Sequence, residues 1–343
     1  MRTGGDTLLR VVAAVAAAIG IAVLLGDTSS AAGAPTATTT TPPGVVTVTT
    51  KLGYQQGAAA GTGIVLSSNG TVLTNNHVIR GATTVNVVVP STHRSYRATV
   101  VGYSVTSDVA VLELTGASGL ATATIGDSSK LRIGQAVTAV GNAGGTGTLR
   151  SAAGTITGLH RSIVASDGLG LSERLTGLIE TDAALEPGDS GGPLVDSSSD
   201  VIGLDTAASS TFVFAAANSQ GYAIPIARAR SLAQQIVAGR SSAIVHVGPT
   251  AFLGVQIRAA SRLDRVGAGA VVAAVVPSSA ADRAGLQAGD VITRFAGHPI
   301  ASYTELGRYT LGTKPGARVT IVWTDSGGSS RSATVALAAG PPQ

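Results

Sequence analysis

Between residues 45 and 227 the chain is a succession of short runs rich in Val, Ile and Thr, separated by Gly, Ser and Asn. Such β-branched runs are typical of strands, and the separators are typical of tight turns. In one place Asn69-Gly70 joins two apolar runs, which is a strong signal for a β-hairpin. Aromatic residues make up only 3 % of the chain although hydrophobic residues reach 44 %, so the core must be built from Val, Ile, Leu and Ala. The sequence therefore predicts an all-β domain over this stretch.

The pattern changes after residue 225. Residues 226–238 repeat apolar side chains at helical spacing, between a proline and a glycine at the usual flanking positions, which predicts an amphipathic helix. Residues 241–250 indicate a linker, and residues 251–340 predict a second domain of strands with two short helices. We therefore expect a first domain over residues 45–240, followed by this linker and the second domain.

The N-terminal region has the pattern of an export signal. Two arginines precede the uncharged apolar stretch Val11–Leu25, and the small residues of Ser29–Ala34 then suit signal-peptidase cleavage. This apolar stretch is shorter than the roughly 20 residues that a spanning helix needs. The sequence predicts a signal peptide over residues 1–34 and a Thr/Pro-rich linker over residues 35–44. The expected location is secreted or in the cell envelope, with a membrane anchor as the alternative if the signal is not cleaved.

The hexapeptide Gly188-Asp189-Ser190-Gly191-Gly192-Pro193 has the composition of a nucleophile turn. A serine hydroxyl is a weak nucleophile, and it needs a base to take its proton and backbone N–H groups to hold the oxyanion that forms. Glycines on both sides of Ser190 leave the backbone bare, so that N–H groups can converge and a substrate can approach. On its own the same pattern is also typical of a tight turn with a buried hydroxyl.

Two further residues decide between these alternatives. His77 follows the predicted hairpin, and Asp108 precedes the apolar strand that begins at Val109. Each of them alone would be an ordinary structural residue. Together they give the chain order His77, Asp108, Ser190, which is the order of the chymotrypsin-type triad and differs from the order in subtilisins and α/β-hydrolases.

With these motifs the sequence resembles the HtrA-like (DegP-like) serine proteases, and most closely the secreted mycobacterial members that carry one PDZ domain. The similarity runs from about residue 45 to the C-terminus and includes the stretches 125–134, 140–142, 181–184 and 222–226. The resemblance implies a mainly β fold, in which a chymotrypsin-like double β-barrel protease domain is followed by an α+β PDZ domain.

The resemblance also implies roles for the site residues. His77 and Asp108 would lie on the first barrel and Ser190 on the second, with His77 as general base and Asp108 orienting its imidazole. The N–H groups of Gly188 and Ser190 would form the oxyanion hole. Asp189 departs from the pattern, because most members have Asn there, and in digestive relatives an Asp at this place pairs with a freed N-terminus. The sequence leaves open which group binds Asp189 here.

The primary specificity pocket is assigned in the same way. Its floor in this family lies six residues before the nucleophile, at Ala184, and Ala207 and Ala208 would line the opposite wall. A pocket without a carboxylate has no partner for the charge of Lys or Arg. We therefore expect cleavage after small or medium aliphatic residues such as Ala, Val, Ile or Leu.

The second predicted domain carries the signature of bacterial PDZ domains in residues 277–292, and Leu253-Gly254-Val255 resembles their carboxylate-binding loop. The N–H groups of Leu253, Gly254 and Val255 would receive the carboxylate of a C-terminal peptide that adds as a strand. The hydrophobic terminal side chain of that peptide would enter a pocket near residues 302–311. Tethering of substrates and activation of the protease both remain open as consequences of such binding.

Composition argues against several other classes. With no cysteine the chain has no disulfide framework, zinc-thiolate site or thiol nucleophile, and its five histidines show no metal-ligand spacing. We therefore expect neither a metal nor another cofactor. The net charge of +4 is small and unclustered, which argues against nucleic-acid partners.

The sequence thus favours a secreted serine endopeptidase acting on misfolded or unfolded extracytoplasmic proteins, with polypeptide substrates and C-terminal peptides as partners. Two alternatives stay open: a peptide-binding, chaperone-like envelope protein with low or regulated proteolytic activity, and a hydrolase acting on esters. Members of the resembled family are commonly trimers, so the resemblance implies a homo-oligomer. The segment before the first barrel shows no clear trimerisation signal.

Overall fold

The computed structural model describes residues 41–166, 172–206, 213–214, 220–258 and 268–343. The predicted signal peptide and residues 35–40 of the predicted first linker lie outside these residues. Strands account for most of the regular secondary structure of the described residues, and within these residues no helix is long and apolar enough to cross a membrane.

The first domain begins with a closed barrel of six antiparallel strands. These are β1 (Val45–Leu52), β2 (Gly57–Val65), β3 (Thr71–Thr74), β4 (Thr84–Val89), β5 (Arg94–Ser104) and β6 (Val109–Leu114). Neighbours follow the order β5-β4-β1-β2-β3-β6, and the pairing of β6 with β5 closes the ring. The predicted hairpin at Asn69-Gly70 is confirmed as the connection of β2 to β3, and the one-turn helix α1 (Asn76–Ile79) follows β3.

A second closed barrel follows a crossing segment that contains no strand. Its strands, with one short addition at the edge, are β7 (Ala136–Gly141), β8 (Arg150–Ser166), β9 (Ser172–Thr181), β10 (Pro193–Val195), β11 (Val201–Thr206), β12 (Val213–Phe214) and β13 (Gly221–Pro225). The ring has the order β8-β7-β10-β11-β13-β9 and closes through β9 and β8, while β12 pairs with β8. The mainly β double-barrel architecture expected from the sequence is confirmed.

Helix α2 (Ile226–Val237) packs against both barrels and confirms the helix predicted over residues 226–238. Its buried face consists of Ile226, Ala229, Leu232, Ala233 and Ile236. The same apolar cluster contains Ile64 and Val111 of the first barrel and Leu204 and Ile224 of the second. Since burying a side chain of this size contributes about 1.5–3 kcal/mol, this helix helps to hold the two barrels together.

The chain after α2 does not leave the first domain at once. Strand β14 (His246–Val247) pairs antiparallel with β5, at Tyr103 and Gly102, where the pairing of β5 with β4 has ended. Residues 246 and 247, inside the segment 241–250 that the sequence indicates as a linker, therefore extend the sheet of the first barrel.

The C-terminal domain is a small α+β unit. Its elements are β15 (Thr250–Phe252), β16 (Val255–Arg258), β17 (Ala270–Val275), α3 (Ala280–Ala284), β18 (Val291–Phe295), β19 (His298–Pro299), α4 (Tyr303–Leu311), β20 (Arg318–Thr324), β21 (Ser330–Ala336) and β22 (Ala338–Gly340). The main sheet has the order β16-β17-β18-β20-β21, with β19 paired to β18, and β15 pairs with β22. Strand β16 therefore lies at an edge of the sheet.

Tyr103 of β5 joins the C-terminal domain to the first barrel. Its side chain is buried, and its hydroxyl lies 2.9 Å from Thr250 Oγ1 and accepts a hydrogen bond from Gln343 N at 3.2 Å. Those two partners lie at the two ends of the C-terminal domain. One phenol oxygen thus links both ends of that domain to the barrel.

We expect Tyr103→Phe to destabilise the protein by about 1–3 kcal/mol, because Thr250 and Gln343 lose a buried partner. Urea unfolding of the purified variant measures this change. Tyr96→Phe is the matched control, since the Tyr96 hydroxyl is buried without a hydrogen-bond partner among the described residues. Removing that hydroxyl should leave the free energy of unfolding unchanged or raise it. Equal losses in both variants would contradict the role assigned to Tyr103.

Candidate active site

Strand pairing brings His77 and Asp108 together. Strand β3 pairs antiparallel with β6 so that Thr74 faces Ala110. The residues just after β3 therefore lie beside the residues just before β6. His77 in α1 and Asp108 in the turn before β6 occupy these two places, which the sequence pattern alone does not locate relative to each other.

The carboxylate of Asp108 is buried and fully engaged by donors. Its Oδ2 lies 2.9 Å from His77 Nδ1, and its Oδ1 accepts the His77 backbone N–H at 3.0 Å. Thr206 Oγ1, from the second barrel, donates to Oδ2 at 2.9 Å. Asn75 Nδ2 donates to the Asp108 carbonyl oxygen at 2.9 Å and so holds the backbone of the turn. These bonds fix the orientation of the imidazole ring.

Asp108 also adopts an uncommon backbone conformation, with φ of 52°. A non-glycine residue in this left-handed region costs about 1 kcal/mol or more and persists only where its surroundings hold it there. The donors around the Asp108 side chain and carbonyl supply those surroundings. The conformation turns the carboxylate inward, toward His77 and Thr206.

The Ser190 loop lies against the same strands. Thr62 N of β2 donates to Ser190 O at 2.8 Å, and Gly191 N donates to Asp205 O of β11 at 2.9 Å. Asp205 directly precedes Thr206, which contacts Asp108. The structure thus brings the loop that carries Ser190 to the point where both barrels meet the His77–Asp108 pair. Ser190 itself is buried, with 1 % of its surface exposed.

Gly188 is held from both sides in a conformation that suits glycine, with φ of 105°. A Cβ atom there would collide with the carbonyl oxygen of Asn142. Gly144 N donates to Pro187 O at 2.8 Å. In a trans peptide the N–H points opposite to the C=O, so the Gly188 N–H points away from the Gly144 loop. In this orientation the Gly188 N–H does not donate a hydrogen bond to the Gly144 loop.

The residues proposed for the specificity pocket are only partly described. Ala184 is exposed, and Ala207 and Ala208 lie outside the described residues. Leu185, which no sequence motif indicated, packs against the core of the second barrel, and its Cδ1 occupies the place where a Cβ of Gly221 would lie.

Asp182, an acid close to Ala184 in the sequence, accepts hydrogen bonds from the backbone N–H and the hydroxyl of Thr155 and so has a structural role.

Asp189 is bound by a backbone N–H and by no cation among the described residues. Glu186 N donates to Asp189 Oδ2 at 2.8 Å, while Oδ1 is buried without a partner. Burial raises the pKa of this carboxyl, and the charge of Glu186 adds to the rise against the lowering effect of the Glu186 N–H. Among the described residues, the group that binds the Asp189 carboxyl is therefore a single backbone N–H, that of Glu186.

A second buried acid, Asp205, lies near enough to Asp189 to be affected by its charge. It is fully buried, and neither of its carboxyl oxygens has a hydrogen-bond partner among the described residues. Burial, and after it the charge of Asp189, raise the pKa of Asp205 well above its ordinary value. Both acids flank the Ser190 loop, since Gly192 N donates to Asp189 O and Gly191 N donates to Asp205 O.

These raised pKa values predict a loss of stability with rising pH. The folded protein keeps a proton on Asp205 that the unfolded chain releases near its ordinary pKa. Stability is therefore fully present below that pKa and falls by about 1.4 kcal/mol per pH unit until the folded-state pKa is passed. We expect Asp205→Asn to abolish most of this fall, so that its advantage in free energy of unfolding over the parent grows from pH 4.5 to pH 8.

Chemical unfolding at several pH values measures this difference. Asp200→Asn is the control, because Asp200 directly precedes the same strand β11 and is only half-buried, whereas Asp205 is fully buried. The same pH slope in Asp205→Asn and in the parent would show that Asp205 ionises normally.

The carboxylate loop predicted in the C-terminal domain is anchored through its carbonyl groups. Leu253 O accepts from Ala281 N at 2.8 Å, and Gly254 O accepts from Val276 N at 2.9 Å. The N–H groups of Gly254 and Val255 point the opposite way, because the peptide bonds are trans. A Cβ at Gly254, where φ is 90°, would collide with the side chain of Ser279, so α3 rather than an incoming ligand demands glycine there.

Within the described residues no group of three or more His, Cys, Asp or Glu side chains is arranged to hold a metal ion. The chemistry that the site offers is that of an oriented imidazole beside a serine and backbone N–H groups. Thr206 contacts the Asp108 carboxylate and Thr62 contacts the Ser190 loop, and no motif in the sequence singled them out, because each lies in an ordinary strand.

Comparison with known families agrees with this architecture. Residues 61–204 match the trypsin-like peptidase domain, and residues 251–336 match the PDZ domain. The chain is 34 % identical to the serine protease PepD of Mycobacterium tuberculosis, over 84 % of this chain and 62 % of that protein. It is 36 % identical to the periplasmic pH-dependent serine endoprotease DegQ of Escherichia coli, over 76 % of this chain and 55 % of that protein. The chain therefore spans little more than half the length of these relatives.

A solved structure is also similar. The HtrA-type protease AlgW with a tripeptide is 30 % identical and superposes with a TM-score of 0.50, covering 88 % of this chain and 95 % of that one. The order of the two matched domains and the identity to AlgW over nearly its whole length lead to one conclusion. The chain belongs to the HtrA-type serine protease family, with a trypsin-like peptidase domain followed by a PDZ domain.

Proposed function

We propose that the chain is a serine endopeptidase that hydrolyses peptide bonds through an acyl intermediate on Ser190. The observation that carries the proposal is the contact of His77 Nδ1 with the buried Asp108 carboxylate, beside the loop that bears Ser190. Asp108 holds the imidazole proton on Nδ1, and Nε2 is then the atom that takes the proton of the Ser190 hydroxyl.

In the acylation step Ser190 Oγ attacks the carbonyl carbon of the scissile bond, and its proton passes to His77. The oxygen that gains negative charge would be bound by the N–H groups of Gly188 and Ser190, and each such donor is worth about 3–4 kcal/mol in related chemistry. The imidazolium, stabilised by Asp108, returns the proton to the leaving amine. Water then attacks the acyl-enzyme by the same sequence of proton transfers.

We propose a small or medium aliphatic residue on the acyl side of the cleaved bond. Ala184, the residue assigned to the pocket floor, carries no charge, and the adjacent Leu185 fills space above Gly221. A pocket with an uncharged floor has no partner for Lys or Arg and suits Ala, Val, Ile or Leu. Ala207 and Ala208 stay part of this proposal as the opposite wall.

We expect Ser190→Ala to lower the rate of casein hydrolysis by about 10⁴-fold or more, since members of such a triad act as a unit. His77→Ala should behave alike, and a chelator should have no effect. Thermal melting of both variants should stay close to that of the parent. Mass spectrometry of the casein fragments gives the residue at each cut. Undiminished activity in Ser190→Ala, or cuts mainly after Lys and Arg, would overturn the corresponding part of the proposal.

The C-terminal domain is proposed to bind the C-termini of polypeptides. Strand β16 lies at the sheet edge, where an extended peptide can add as a further strand. The loop of Leu253, Gly254 and Val255 precedes that edge, with its Gly254 and Val255 N–H groups turned away from α3. The tripeptide bound in the AlgW structure supports peptide binding in this family.

We expect the full chain carrying Ser190→Ala to bind peptides with a free hydrophobic C-terminus at least roughly tenfold more tightly than the same peptides amidated, because amidation removes the charge. Isothermal titration with matched pairs measures this ratio. Gly254→Ala should weaken binding of the free acid, since its Cβ would force the loop away from Ser279. Equal affinity for free and amidated peptides would end the carboxylate-loop assignment and leave the protease assignment intact.

The biological setting is proposed from the relatives and the sequence. DegQ and DegP are named as periplasmic endoproteases, and residues 1–34 have the pattern of a signal peptide, which together support an extracytoplasmic location. We propose quality control of misfolded proteins there, by a protease domain over residues 45–240 and a PDZ domain over residues 251–340, in a homo-oligomer, a trimer by analogy. A chaperone-like protein with low proteolytic activity is the alternative, and the Ser190→Ala comparison separates the two.

A further inference from the structure

Thr62 of β2 is a fully buried threonine at the contact between the barrels. Its hydroxyl accepts a hydrogen bond from Asn142 N at 2.9 Å and donates one to Gly188 O at 2.8 Å. Because the Asn142 N–H can only donate, it orients the hydroxyl so that its proton points at Gly188. A single oxygen therefore connects the first barrel to two loops of the second.

The backbone of Thr62 makes two further bonds at the same place. Its N–H donates to Ser190 O at 2.8 Å, and its carbonyl oxygen accepts from Thr74 Oγ1 at 2.7 Å. Thr74 ends the strand that leads to His77. A side chain at Gly191 would collide with the Thr62 carbonyl oxygen, so the nucleophile loop is in direct contact with Thr62.

We infer that Thr62 is a positioning residue for the oxyanion hole, which rests on the proposed acyl-transfer function. Glycine imposes few limits on its own φ and ψ, so the direction of the Gly188 N–H must be set by the bonds of the neighbouring peptide groups. Gly144 N holds Pro187 O on one side, and Thr62 Oγ1 holds Gly188 O on the other. Thr62 N holds Ser190 O, so that Thr62 fixes the segment from Gly188 to Ser190 at both ends.

Loss of the Thr62 hydroxyl would release the Gly188 carbonyl while the Asp108, His77 and Ser190 side chains stay unchanged. The N–H of Gly188 then points less accurately at the place where negative charge develops. An interaction that strengthens only in the transition state affects kcat and leaves KM nearly constant. Ground-state binding of the substrate should therefore survive the substitution.

The test is a series at position 62 that varies the donor and keeps the volume nearly constant. Thr62→Val removes the donor, Thr62→Cys replaces it by a weak one, and Thr62→Ser keeps it. We expect kcat on a peptide substrate to fall roughly tenfold to a hundredfold in Thr62→Val, less in Thr62→Cys and least in Thr62→Ser, since removing an oxyanion donor outright costs about 10²–10³. KM should stay within about twofold of the parent.

A transition-state analogue supplies an independent measurement. The inhibition constant of a peptide boronic acid with an aliphatic residue should rise across the series by the same factors by which kcat falls. Thr71→Val is the control variant, because Thr71 begins strand β3 of the same barrel, at the opposite end from Thr74, and its hydroxyl donates to Glu113 Oε2 at 3.2 Å. It should change neither kcat nor the inhibition constant.

The outcomes separate the inference from the proposed function. A folded Thr62→Val with the kcat of the parent, or a Thr62→Ser no better than Thr62→Val, overturns the role of Thr62. If Thr62→Val does not fold, the order of Thr62→Ser and Thr62→Cys decides in the same way. A parent protein that neither cleaves peptides nor reacts at Ser190 with a peptide phosphonate overturns the proposed function itself, whatever the series shows.

Discussion

The buried carboxylate of Asp108 is the group on which the arrangement of the site depends. A carboxylate removed from water needs hydrogen-bond donors, and here they come from both barrels: His77 through its backbone and ring, and Thr206 through its hydroxyl. Satisfying this one charge therefore requires the barrels to meet at a fixed place. Helix α2 supports the same arrangement by burying its apolar face in a cluster drawn from both barrels.

Two other acids near the same site, Asp189 and Asp205, have few or no hydrogen-bond donors around their carboxyl groups within the described part of the chain. The Asp108 carboxylate accepts hydrogen bonds from several donors, whereas the Asp205 carboxyl has none among the described residues and the Asp189 carboxyl has a single backbone donor. Burial without donors favours the protonated form, which raises the pKa of both groups. The loop of Ser190 thus lies between a carboxylate that supports the imidazolium and a pair of acids whose ionisation would strain the loop.

Much of this architecture can be predicted from the sequence, because short stretches of neighbouring residues determine the strands, the turns and the helix. Short β-branched runs, the Asn69-Gly70 turn and the helix after Pro225 predict elements that the structure contains at nearly the same bounds. The contacts of Thr62, Thr206 and Asp205 depend on strand register and on the meeting of two barrels, which no local pattern encodes. Strand β14, inside the indicated linker over residues 241–250, was not predicted for a similar reason, since it is stabilised by its pairing with β5 and carries little strand signal of its own.

The C-terminal domain is attached to the first domain by side-chain packing and hydrogen bonds as well as by the connecting chain. Phe252 stacks on Tyr54 of the first domain, with ring centroids 5.0 Å apart, and Leu311 of α4 packs against the core of the first barrel.

After β22, Pro342 O accepts the N–H of Gly81, and Gln343 O accepts from Asn76 Nδ2, the residue next to His77 in α1. A flexible tether would lack such packed and hydrogen-bonded contacts. The helix that carries His77 is therefore held partly by the first barrel and partly by the end of the C-terminal domain, so its position depends on both.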